Sequence, residues 1–192
     1  MMLVNTKAKT HELDDFDTHE LLEIFKRLDA PSIDEMNGEY QARLLKQPSL
    51  LASFIGYLSV GNPFKKWLCK AFRPVSETHG RGYNTFKVGS KIIQQFPMMT
   101  LIAPSRFDGK PSYHLVYRDF ESMCGDINMV DEVRVYAPGV YLGIGTWGFT
   151  DTQRKTALPF ILTGPGNAYR KDIGVKRKGF SLGSREIPAL SS

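Results

Sequence analysis

The chain has 192 residues, is 42% apolar and 23% charged, and carries a formal charge of +5. That is enough for one compact domain and excludes a multidomain machine or a disordered or fibrous chain. No unbroken apolar run of about 18 residues is present to span a bilayer, and Met1–Lys7 lacks an apolar stretch of signal-peptide length, so a cytoplasmic protein with no membrane span is expected.

Charge is uneven along the chain. Residues 1–35 hold four basic and nine acidic side chains, and residues 166–192 hold six basic and two acidic. We read 1–16 as a flexible acidic lead, 17–164 as one domain, and 165–192 as a basic tail that is either flexible or draped over it. Basic runs are more often solvated ends than phosphate sites, and no RNA-binding aromatic pattern accompanies this one, so nucleic acid is not expected as a partner. Cys69 and Cys124 lie outside any C-x-x-C, and His11, His19, His79 and His114 are scattered, so no metal or cofactor is expected.

Asp17 can cap a helix, with Glu20 completing a capping box and Leu21, Leu22, Ile24, Phe25 and Leu28 recurring at helical spacing. Ser32 repeats the cap signature before a turn that Asn37-Gly38 ends. Residues 38–45 alternate as a strand. Ser49 then caps a second helix with the apolar face Leu50, Leu51, Phe54, Ile55 and Leu58, which packs across a sheet or plugs an opening. From Trp67 the period becomes two, giving strands near 66–73, 82–88, 91–103, 112–119, 129–136, 140–149 and 157–164.

The class is mainly β (α+β). About eight antiparallel strands lose their edges most economically by closing into a barrel with room for one small ligand, its two N-terminal helices covering one end. An open half-barrel or a sandwich is the competing architecture. On the strand from Val140, the face Tyr141, Gly143 and Gly145 lacks bulk, which admits a backbone, a ring or a ligand, or marks a bulge or bend.

Gly38-Glu39-Tyr40-x-Ala42 followed by Trp67-x-Cys69-Lys70-x-Phe72 resembles the opening of GXWXG-type proteins. Leu115-Val116-Tyr117, Asp131-x-x-Arg134, Leu142-Gly143 and Pro159-Phe160-x-Leu162 follow in the order of that family's second half, so the resemblance spans residues 38–164. Tyr40 and Ala42 replace the family's Trp and second Gly, and Cys69 replaces a Gly. The resemblance implies a lipocalin-like (calycin-like) barrel of uncharacterised activity.

His114 shares a strand face with Ser112, Val116 and Arg118. Such a histidine is more often a hydrogen-bonded wall residue than a base; pointing inward, its ordinary pKa near ~6.5 would suit acid/base work or axial haem ligation. Asp131 and Arg134 fall on opposite faces of a regular strand, and only a bulge would unite them as a structural or ligand-orienting ion pair. Arg134 leads the candidates for ligand contact, as an inward cation for an anionic head group. Tyr117, Tyr141, Trp67 and Trp147 are candidates for the lining, or ordinary core aromatics. Gly143-x-Gly145-x-x-Gly148 matches a dinucleotide motif in letters alone, since it opens no helix.

Two main functions follow. The first is binding of a small hydrophobic or amphipathic ligand, fatty-acid- or isoprenoid-like, inside the barrel. The second is a small-molecule enzyme in the same cavity, with His114 or Asp131 as acid/base group for isomerisation or hydration. An interaction protein using its charged ends is a third reading, and a homodimer is compatible with all three.

Overall fold

The computed structural model describes residues 9–48 and 65–190. Its strands are β1 (Gly38–Leu44), β2 (Lys66–Pro74), β3 (His79–Val88), β4 (Lys91–Pro104), β5 (Pro111–Val116), β6 (Val130–Ala137), β7 (Val140–Thr146) and β8 (Leu158–Asn167). Each pairs antiparallel with its neighbour in sequence, and β8 returns to pair with β1, closing the barrel. Closure leaves none of these strands with an unpaired edge. The expected strand from 112 stops at Val116 because Tyr117–Asp119 turn as a 3-10 helix, and β8 runs three residues past 164.

Alternation sorts the side chains into inside and outside. Tyr40, Ala42, Trp67, Phe72, Phe86, Met98, Tyr113, Leu115, Val133, Tyr141, Phe160 and Leu162 come from all eight strands and form one buried cluster, the barrel interior. Ile33 and Met36, from the segment before β1, join this cluster, and Tyr40 OH donates to the Glu35 carbonyl at 2.9 Å. The segment therefore closes the end beside Tyr40 and Tyr141.

The alternate residues of the last strands face outward. Val140, Leu142, Ile144 and Ile161 bury against Leu13, Leu21 and Phe25. Leu21 and Phe25 lie on α1 (Thr18–Phe25), whose Asp17–Glu20 capping box forms as expected. This helix packs on the outer wall at β7 and β8 rather than over an end. The expected second helix over Leu50–Leu58 lies outside the described residues. Residues 9–16 are docked, since Leu13 is fully buried and Asp14 pairs with Arg43 at 2.5 Å.

The C-terminal segment is draped over the barrel. Asp172 bridges Arg73 and Arg81 at 2.7 and 3.2 Å, Arg177 holds Asp126, Lys176 holds Asp119, and Ile187 packs on Leu101 and Val116. Among the described residues no helix is long and apolar enough to cross a membrane.

Candidate functional site

The mostly apolar barrel interior holds a polar cluster built around an ion pair. Lys70 and Asn84 are cross-strand partners on β2 and β3, Asp131 comes from β6, and Tyr117 follows β5. Lys70 Nζ donates to Asp131 Oδ2 at 2.7 Å, to Tyr117 OH at 2.5 Å and to Asn84 Oδ1 at 3.2 Å. Tyr117 OH donates to Asp131 Oδ2 at 2.9 Å, and Trp67 Nε1 to Asn84 Oδ1 at 3.0 Å. The ammonium also faces the rings of Trp67, Tyr117 and Phe160 at 5.1–5.2 Å. The Lys70 and Asp131 side chains are only 4% and 2% exposed.

Local strand geometry builds this arrangement. Trp67 and Lys70 are three residues apart and would face opposite ways on a regular strand, but a register shift between Trp67 and Cys69 turns both inward. β6 has no such shift between Val130 and Val135, so Asp131 points in while Arg134 points out. Burial, reinforced by the Asp131 carboxylate, pushes the Tyr117 phenol well above its ordinary pKa, so the hydroxyl stays protonated as a donor. Burial raises the nearby Cys124 thiol to about 12, which makes it a poor nucleophile.

Asp131 is incompletely satisfied. Its Oδ2 takes two donors, while Oδ1 is buried and has no hydrogen-bond partner. Gly145 faces Asp131 across β6–β7, and a Cβ there would lie 3.0 Å from Oδ1. Gly143 has a different purpose: a Cβ would meet the Phe160 ring at 2.1 Å, so its missing side chain is replaced by an aromatic ring.

The other expected site residues are placed as follows. Tyr117, Trp67 and Tyr141 face the interior, and Tyr141 OH donates to Glu35 Oε1 at 3.1 Å. Trp147 is half-buried beyond the end of β7, outside the interior cluster. Arg134, the leading candidate for ligand contact, is fully buried on the outer wall. Its guanidinium donates to both oxygens of Asp108 at 2.8 Å, and to the carbonyls of Phe25, Lys110 and Pro111 at 3.0–3.1 Å. With Asp108 as its counter-charge, Arg134 clamps a loop and the C-terminus of α1 to the barrel, and it forms no pair with Asp131.

His114 also faces outward, fully buried, with Nε2 3.2 Å from the Ala103 carbonyl and Glu132 directly opposite on β6. Burial holds its pKa below the ordinary value against the raising effect of Glu132. It shares no contact with the Lys70 centre and does not present a haem ligand to the interior. Sequence reasoning assigned no role to Lys70, although it stood inside the Trp67–Phe72 motif. The available signal was a lysine in an otherwise apolar strand segment. Among the described residues no group of three His, Cys, Asp or Glu side chains could hold a metal ion.

The fold recurs elsewhere. A crystal structure of a protein from Thermomonospora curvata matches this chain with a TM-score of 0.51 and 16% identity, over 77% of this chain and 87% of that one. At that identity the likeness shows the fold alone. No protein-family profile and no curated protein matches the chain.

Proposed function

We propose that the barrel binds a small amphipathic molecule, with its apolar part among the interior aromatics and its polar end at Lys70, Asp131 and Tyr117. The eight-stranded up-and-down order, which lipocalins use to enclose one small ligand, supports this reading, as does the GXWXG-type resemblance. The observation that carries it is the buried ion pair. Such a pair repays its desolvation poorly, and apolar residues of similar volume would often serve stability as well or better, so its presence in an apolar core fits a binding role. Trp67, Tyr117 and Tyr141 are the proposed lining, in a cytoplasmic protein.

Purified protein is expected to show saturable Nile red fluorescence that a neutral amphiphile displaces. Replacing Lys70 alone by Met should destabilise the fold by about 3–5 kcal/mol, because it strands the Asp131 charge. The Lys70→Met/Asp131→Leu double variant should recover most of that stability yet bind polar-headed probes more weakly. No saturable probe binding, or undiminished binding by the double variant, would overturn the reading.

A second reading uses the same centre for acid/base chemistry. Asp131 Oδ2, Tyr117 OH and Lys70 Nζ are mutually hydrogen-bonded and can pass a proton among themselves. On this reading an unsaturated ketone incubated with the protein in heavy water gains deuterium beside its carbonyl. A rate equal to the protein-free control would remove it.

A further inference from the structure

Resting on the ligand-binding reading above, we infer that the interior centre takes the hydroxyl of a neutral amphipathic ligand, an isoprenoid-like or fatty alcohol rather than a fatty acid, as a donor to Asp131 Oδ1. Two independent observations point to this chemistry. The first is the orphan atom itself: Asp131 is 1% exposed, and its Oδ1 is a carboxylate acceptor without a donor. A buried acceptor left unpaired costs roughly 1–3 kcal/mol, and more when charged, so a group that supplies a proton there gains that amount back on binding. An ether, a ketone or a carboxylate has no such proton to give.

The second observation is the charge balance. Lys70 and Asp131 match one to one within the interior, and Arg134 is turned outward onto Asp108. A carboxylate brought to Asp131 would meet like charge, with the Lys70 ammonium already paired to that residue. Lys65, half-buried with its ammonium 4.4 Å from the centroid of the Phe86 ring and 4.8 Å from that of Phe96, is a cation beside these two rings rather than part of the centre. Gly145 leaves Oδ1 with no side chain opposite it on β7. Its backbone does not require glycine, and a methyl group there would touch Leu158 only at ordinary distances of 3.5–3.7 Å while crowding Oδ1 at 3.0 Å. Gly145→Ala is therefore a charge-neutral block of this one acceptor, with its fold checked by circular dichroism.

The test is Nile red displacement by three probes of equal chain length, decanol, decyl methyl ether and decanoate, at about pH 8, where the acid is ionised. Decanol is expected to displace the dye at roughly tenfold lower concentration than the ether or the carboxylate, the size of one hydrogen bond to a charged acceptor. Gly145→Ala should erase the preference for decanol over the ether while leaving ether binding within about twofold. Asp131→Asn should shift selectivity toward decanoate, because it leaves the Lys70 charge unmatched; Lys65→Met in the same assay should leave the alcohol preference unchanged. Decanoate binding as tightly as decanol, or an alcohol-to-ether ratio unmoved by Gly145→Ala, overturns this inference and leaves the container reading standing. Failure of all three probes to displace the dye overturns both.

Discussion

Buried ionisable groups occupy both faces of the barrel wall, and each face treats them differently. Outside, His114 is kept neutral by burial, while the unfolded chain protonates its imidazole near ~6.5. As pH falls below that value the unfolded state therefore binds more protons than the native state, and stability drops until the lower native pKa is reached. Urea denaturation of the wild type should show this loss as the pH falls below about 6.5, and His114→Gln should flatten that part of the profile. Inside, Lys70 hydrogen-bonds Asp131, Tyr117 and Asn84 and faces three aromatic rings. The inner pair is thus nearly complete in its own contacts, with Asp131 Oδ1 as the atom left over.

At the scale of elements, strand β6 divides the work. Its inward Asp131 serves the interior centre, and its outward Arg134 ties down the Asp108 loop and supplies donors to the carbonyl end of α1. Replacing Arg134 by Met is expected to lower unfolding free energy by about 3–5 kcal/mol, since it leaves Asp108 unpaired and several carbonyls without donors. Probe binding per folded molecule should stay within about twofold of wild type, which separates an outer clamp from a ligand contact. Period-two alternation made the opposite directions of Asp131 and Arg134 legible in the sequence, and the same pattern placed all eight strands to within a few residues. The inward turn of Lys70 was not legible, because it depends on a bulge after Trp67 that no residue letter announces. The partner of Asp131 therefore had to come from the structure, and so did the covering of Arg134 and His114, since alternation gives a face but not what packs upon it.

The whole molecule is a barrel strapped by its C-terminal segment. Asp172 on Arg73 and Arg81, Arg177 on Asp126, and Ile187 against Leu101 and Val116 spread the strap across several strands and the segment beyond β5. Deleting the chain beyond Asn167 should lower the thermal midpoint by several degrees, by about 4 °C per kcal/mol lost in a protein of this size, and expose apolar surface to a dye such as ANS. An unchanged midpoint would mean that the strap contributes nothing to stability.

The seam between β1 and β8 joins Glu39 to Asn167, whereas every other ladder joins strands adjacent in the sequence. A polypeptide emerging from the ribosome can therefore zip its hairpins one after another, yet it cannot shut the ring until the eighth strand has been made. Until then two raw margins of sheet stand open and Lys70 and Asp131 face water, so ring closure, synthesis and the drying of that ion pair fall at one late moment in the protein's birth.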